Sequence, residues 1–330
     1  MVQGCENVKA ESAWRRAPQV SYRTADPAPA LAEPGTLAVF GFGAGAVRSD
    51  DPRWFGVALE SFDATGTLEI WHVDAPVAHG RQDDLRWSAG GGWLFAAVEL
   101  DERGHGGPAG AGQVAYERLC GFLAHRAERH VLRIWNYLGE INRGEGDEER
   151  YKRFCEGRAV GMGNFFADGF PAATAIGHHG PEHRQQVYLL ACDQPGVAVE
   201  NPRQVSAWRY PRQYGRTAPG FARAMTLPAG DALAISGTAA VVGHASTHED
   251  DLEAQLDETL TNLEALLGSA GMSAGFDTLS PLKAYVRQPT DAPHVRDFLQ
   301  RRLPGVPVLL LHGDICRQEL LVEIDGWRYA

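Results

Sequence analysis

The chain has 330 residues, 44% of them hydrophobic, enough for two ordinary domains or one large one with real cores. Its 42 acidic and 31 basic side chains give a formal charge of -11, which repels polynucleotides and anionic lipid, so we expect no nucleic-acid partner and no membrane surface. The cysteines, Cys5, Cys120, Cys155, Cys192 and Cys316, are odd in number and scattered without a CxxC pair; that argues against a disulfide framework or zinc knuckle and for a reducing, cytoplasmic setting.

Residues 1–35 lack the apolar core of a secretory signal and become rich in Pro and Ala, so they read as a partly ordered leader. GFGAGA at 41–46 follows an apolar strand, GTLAVF, and superficially meets the dinucleotide pattern. The segment after it, VRSDDPRW, is broken by Pro52 and charges, so a glycine-rich turn is the better reading. Six elements then follow: strand 92–100, helix 113–126, strand 130–141, helix 149–160 and strands 170–180 and 185–193.

The second half repeats this order. Strand 232–242 precedes a helix at 249–267, marked by Leu252, Leu256, Leu260, Leu263 and Leu267 at spacings of three and four. Strand 282–287, helix 294–303 and strands 306–313 and 319–325 complete it. No apolar run nears the roughly 18 residues of a membrane span, and VPVLLL suits a buried strand. The economical reading is a duplicated α+β unit with mixed sheets packed on helices, divided into 36–196 and 197–330.

Within the last strand, Glu323 sits among Leu320, Leu321, Val322 and Ile324. Alternation puts Leu321, Glu323 and Asp325 on one face, which predicts an acidic pair facing a cleft. Laying RQQVYLLACD (184–193) beside RQELLVEID (317–325) sets Leu190 or Ala191 opposite Glu323, so the fold would accept an apolar residue there. A function for Glu323 follows; the structural alternative is a strand-end glutamate paired with an Arg.

Residues 201–225 gather Arg203, Arg209, Arg212, Arg216, Arg223, Tyr210 and Tyr214 within an acidic chain. Guanidinium grips carboxylates in a fork and phenol adds a neutral donor, so this stretch suits a small dianion, with only one or two arginines touching it. Helical spacing places Tyr151 and Arg158 on one face, with Phe154 between. HHGPEH (178–183) and HASTH (244–248) could each offer two metal ligands in expected turns with no evident third, so no metal site is assigned.

The segments FARAM, ISGTAAVVGHAS, EDDLEAQLDETLTNLEALL, LKAYVR and CRQELLVEID resemble the RidA-type imine deaminase fold. The longer signatures LRIWNYLGEIN, RYKRFCEGRAVGM, NPRQVSAWRYPRQYG and GDICRQELLVEI resemble the chorismatases, over roughly residues 90 to 325. That resemblance implies a duplicated RidA/chorismate-mutase-like fold and a cofactor-free enzyme cleaving the enolpyruvyl ether of chorismate. Pyruvate leaves with 3-hydroxybenzoate and some 4-hydroxybenzoate, or with a dihydroxycyclohexadiene carboxylate in hydrolytic members. It makes Glu323 the acid and Cys316 a wall of the pocket, the latter favouring hydroxybenzoate. The position that is small in those members is Ala239 or Ala240 here, not Gly, which keeps the hydrolytic outcome open. Arg158 and Arg223 are the expected carboxylate anchors, Tyr151, Tyr210 and Tyr214 supporting donors, and a homotrimer is expected from the fold. The rivals are an imine deaminase and a non-catalytic binding protein.

Overall fold

A computed structural model describes residues 16–330, so Cys5 and the first part of the leader lie outside the described residues. Two seven-stranded sheets and one four-stranded sheet carry the architecture. In the N-terminal large sheet the strands run Asp314–Ile315, Ala172–His178, His130–Gly139, Arg184–Cys192, Trp93–Asp101, Leu85–Gly90 and Ala78–Gln82. In the C-terminal one they run Val197–Val199, Ala224–Thr226, Ala232–Thr238, Val322–Tyr329, Leu282–Val286, Val308–His312 and Glu60–Ser61. The duplicated α+β unit is therefore present, and each large sheet takes its last edge strand from the other half of the sequence.

Each sheet has a helix layer on one face. Gly107–Leu123 and Arg150–Met162 cover the first through Leu119, Leu123 and Phe154, while Leu252–Ser269 and Ala292–Arg302 cover the second through Leu256, Leu263, Val295 and Phe298. The helix expected from 249 begins at Leu252, because His248 and Asp250 are left-handed and Asp251 caps the first turn, its carboxylate accepting from Ala254 N at 3.0 Å.

Strands Gln19–Thr24, Thr67–His72, Thr36–Phe42 and Trp54–Val57 form the third sheet, so part of the expected leader is structured. Only GTLAVF was legible there, because the other strands are four to six residues long and carry no sustained apolar alternation. Its Phe40 and Trp71 meet Trp135 and Tyr188 of one large sheet and Tyr285 and Trp327 of the other in a shared aromatic core. In the GFGAGA turn, Ala44 N donates to Glu60 Oε1 at 2.8 Å, so the chain's own carboxylate takes the amide that the dinucleotide reading would give to a phosphate.

The repeat corrects the alignment of the two closing strands. Cys192 pairs with Trp93, the first residue of its neighbouring strand, and Tyr329 pairs with Ala232, the first of its own. Counting back six residues from each brings Gln186, not Leu190 or Ala191, into correspondence with Glu323. The next strands agree, since Gln186 pairs with Tyr137 and Glu323 with Tyr285. The fold thus takes a polar residue there in both halves. Gln186 is spent on structure, accepting from Ala58 N at 2.9 Å and donating to Gly56 O at 2.8 Å and Glu99 Oε2 at 2.6 Å.

Buried charges tie the sheets together. Lys283 lies 3.1 Å from Glu69 of the third sheet, both with side chains at 1% exposure or less. Removing one partner leaves the other charged and unpaired in the aromatic core, so Lys283→Met should lower unfolding stability by about 3–5 kcal/mol. Urea denaturation checks this, and an unchanged midpoint would show that the pair carries no such role.

Candidate active site

Between the two large sheets lies a cavity of about 680 Å³, a size suited to a small metabolite. Its walls come from both halves. Helix Arg150–Met162 supplies Tyr151 and Arg158, strand Ala172–His178 supplies Thr174, and the C-terminal half supplies Tyr210, Tyr214, Arg223, Gly237, Ala239, Cys316, Arg317 and Glu323. The eight residues picked out from the sequence, Tyr151, Arg158, Tyr210, Tyr214, Arg223, Ala239, Cys316 and Glu323, all line this one cavity.

Glu323 is the second residue of Val322–Tyr329, between Leu282–Val286 and Ala232–Thr238. Opposite it the ladder slips: Ile235 pairs with Gly326 but Thr238 with Ile324, so the neighbouring strand bulges at Ser236–Gly237. This ends the expected 232–242 strand early. The bulge makes room for the acid, since a Cβ on Gly237 would stand 1.9 Å from Glu323 Oε1. Burial, and then the negative charge of Asp325, push the Glu323 carboxyl up to about 8 against the opposing pull of Arg133, Arg223 and Arg317.

Asp325 does not face the cleft with Glu323. It is fully buried and accepts from Arg133 Nη2 at 2.9 Å, Trp135 Nε1 at 2.9 Å, Thr174 Oγ1 at 2.7 Å and Tyr285 OH at 2.9 Å. Arg133 and Thr174 were missed, although alternation along LRIWNYL aligns Arg133, Trp135 and Tyr137 as it aligns Glu323 and Asp325. An isolated glycine inside a strand pattern was the available signal for Gly237.

Two buried guanidiniums of the cavity, those of Arg158 and Arg223, have no carboxylate partner among the described residues. Arg158, 3% exposed, donates to Gly220 O at 2.6 Å and faces the Tyr116 ring, and Arg223, 5% exposed, donates to Val205 O at 2.8 Å and Tyr210 OH at 2.7 Å. The Nε of each is buried without a hydrogen-bond partner. Others of the Arg-rich stretch balance acids, Arg203 with Glu258 at 2.6 Å, Arg212 with Asp147 at 2.6 Å and Arg216 with Asp147 at 3.2 Å. Arg317, which the sequence did not single out, lies 4.0 Å from the Tyr214 ring centre and donates to His244 O and Ser246 Oγ.

Cys316 is neutral near pH 7, because burial and then Glu323 push its thiol up to about 12. The imidazoles considered as ligands serve other contacts: His178 Nε2 is 2.8 Å from Arg184 O, His244 lies beside Tyr214 and His248 beside Glu258. No cluster of three or more potential metal ligands occurs among the described residues.

The raised acid has a thermodynamic signature. The unfolded chain releases this proton near 4.5 whereas the folded chain holds it to about 8, so over that window the native state binds more protons and loses stability as pH rises. Glu323→Gln should therefore gain about 2–5 kcal/mol over wild type between pH 4.5 and pH 8.5. Urea midpoints at the two pH values check it, and a pH-independent gap would contradict a protonated Glu323.

Comparison with known proteins adds the lineage. A family model, chorismatase FkbO/Hyg5-like N-terminal, matches residues 69–191. A 3-hydroxybenzoate synthase of Streptomyces hygroscopicus is 37% identical over 276 residues, covering 78% of this chain and 80% of that protein. A chorismatase of the same organism is 35% identical over 277 residues, covering 80% of each. A chorismatase crystal structure superposes with a TM-score of 0.85 at 31% identity, covering 95% of this chain and 98% of that one. With relatives above 30% identity over more than two thirds of its length, the chain belongs to the chorismatase family.

Proposed function

We propose that this protein cleaves chorismate to pyruvate and 3-hydroxybenzoate, with some 4-hydroxybenzoate, and that Glu323 is its acid and base. The observation that carries this is one cavity holding a neutral carboxylic acid and two buried guanidiniums that lack a carboxylate partner. Buried cations without counter-ions call for an anionic ligand, and chorismate brings two carboxylates. Arg158 and Arg223 would take one each, with Tyr151 and Tyr214 as neutral donors. Tyr210, whose oxygen already accepts from Arg223, keeps its own proton for the ligand.

Protonation of the enolpyruvyl methylene by Glu323 turns the ether carbon into an oxocarbenium ion. The bound dianion adds to the burial that holds the proton on Glu323, so the acid is loaded when substrate arrives. The substrate's own hydroxyl oxygen then attacks the neighbouring ring carbon, whose bond to the ether oxygen breaks so that this oxygen leaves as the ketone of pyruvate. The protonated arene oxide so formed opens and loses a ring proton to give hydroxybenzoate, consuming no water, and the Glu323 carboxylate left by the first step is the base for that proton. Capture of the cation by water gives the dihydrodiol instead. The neutral Cys316 thiol is a wall and polar contact, not a nucleophile, and with Ala239 it bears on which capture prevails.

Incubation with chorismate and separation of the products tests the assignment: pyruvate and hydroxybenzoates are expected, and dihydrodiol as the main product would move the protein to the hydrolytic class. Glu323→Gln should lower pyruvate release by roughly 10²–10⁴-fold with the circular dichroism spectrum unchanged, and undiminished turnover would overturn its role. Arg223→Ala should raise KM roughly tenfold or more, as expected for loss of a charge-assisted hydrogen bond.

A further inference from the structure

Asp325 follows Glu323 by two residues on the same face of one strand, about 7 Å away along an extended chain. Four donors from three other strands converge on its Oδ2: Arg133 and Trp135 from His130–Gly139, Thr174 from Ala172–His178 and Tyr285 from Leu282–Val286. Oδ1 is buried with no hydrogen-bond partner. One oxygen of the carboxylate is thus saturated with donors, one of them the charged guanidinium of Arg133.

The charges behind the cavity balance without Glu323. Asp325 pairs with Arg133 at 2.9 Å and Glu69 with Lys283 at 3.1 Å, and the two pairs are joined through phenols, Lys283 donating to Tyr188 OH at 3.4 Å and the Tyr188, Tyr137 and Tyr285 hydroxyls following at 3.2 Å steps. An ionised Glu323 would be a further carboxylate without a cation of its own. The charged and titratable groups facing it are Asp325 on its own strand, Tyr285 paired across from it, Arg133 on the N-terminal sheet, Arg223, and Cys316 and Arg317 on the preceding loop. Of the cations, Arg133 is held by Asp325, while Arg223 and Arg317 donate to backbone and hydroxyl oxygens.

We infer that Asp325 is a positioning residue for the reaction: a fixed carboxylate neighbour, paired with Arg133, that keeps the proton on Glu323 between turnovers and, through Thr174, fixes the backbone on which that carboxyl rests. The link through Thr174 is direct. Its hydroxyl donates to Asp325 and accepts from Gly237 N at 2.9 Å, and Gly237 is the residue against which Glu323 Oε1 lies. The inference rests on Glu323 being the acid. Once Glu323 has protonated the methylene carbon, two carboxylates face each other across about 7 Å beside a bound dianion, and that repulsion favours recovery of the ring proton. Asp325 exchanges no proton itself; it sets the proton affinity of the group that does.

Asp325→Asn removes the repelling charge and leaves Arg133 uncompensated, and both changes release the Glu323 proton at lower pH. The pH profile of kcat for chorismate cleavage should lose its alkaline side about one pH unit or more below wild type. KM at pH 6 should change less than threefold, because Asp325 does not line the cavity. A merely structural role would instead lower kcat by the same factor at every pH, with the midpoint unmoved, and that result overturns the inference. Because Asp325→Asn strands a buried guanidinium, the double variant Arg133→Met/Asp325→Asn serves as a folded companion. It should show a smaller displacement in the same direction, since the charge of Asp325 acts on Glu323 more strongly than that of Arg133. Infrared titration of the protonated-carboxyl band that Glu323→Gln abolishes reads the same midpoint without turnover. An unmoved band in both Asp325 variants refutes the positioning role, whereas a Glu323→Gln enzyme that still releases pyruvate refutes the acid assignment separately.

Discussion

The contact on which the rest depends is the buried pair of Arg133 and Asp325, one residue from each large sheet, both with side chains at 0% exposure. Withdrawing two charges from water costs several kcal/mol for each, and a single Coulomb contact does not reliably offset that. Trp135, Thr174 and Tyr285 supply the remaining donors, so the acidic partner is solvated by protein. These donors come from both halves of the chain, which fixes how the sheets meet. It also fixes register: a slip of one residue in Val322–Tyr329 would turn Asp325 towards the helix layer and carry Glu323 out of the cavity. Stability and the placement of the acid are thus one constraint.

From this frame follows the division of labour between two equivalent positions. Gln186 and Glu323 occupy the same place in the repeated sheet, each across from a tyrosine. Gln186 spends its amide on Gly56 of strand Trp54–Val57 and on Ala58 just after it, because the third sheet covers that side. Glu323 has no such cover. The bulge at Ser236–Gly237 opens the neighbouring strand, and the side chain reaches a cavity instead of a backbone. One duplicated fold therefore holds a structural anchor in one half and an acid in the other, and the difference is what packs on the sheet.

Much of this was legible in the chain. Leucines at spacings of three and four marked Leu252–Ser269, alternation marked the central strands, and a carboxylate among aliphatic residues marked Glu323. The failures have physical causes. Aligning RQ with RQ matched letters that lie outside the strand in one copy, so the repeat seemed to tolerate an apolar residue where it carries Gln186. Asp325 shares a face with Glu323, but periodicity is blind to where a cavity ends, and the two carboxylates lie in different surroundings a single pleat apart. Apart from GTLAVF, the third sheet escaped notice because its other strands become recognisable only as the cover of an aromatic layer, with Trp71 5.3 Å from Trp135.

The arginines make the same point about function. Five crowd into residues 201–225, and composition ranks them equally. Tertiary pairing separates them: Asp147 lies within reach of Arg212 and Arg216, and Glu258 of Arg203, whereas Arg223 meets a carbonyl and a phenol. Arg158, from the other half, is likewise satisfied only in part. The dianion site we propose is in this sense defined by subtraction, as the place where buried cations outnumber the acids that could neutralise them. Glu323 belongs to that arithmetic as well, because in the proposed reaction an acid that stays protonated leaves the guanidiniums free for a dianionic substrate.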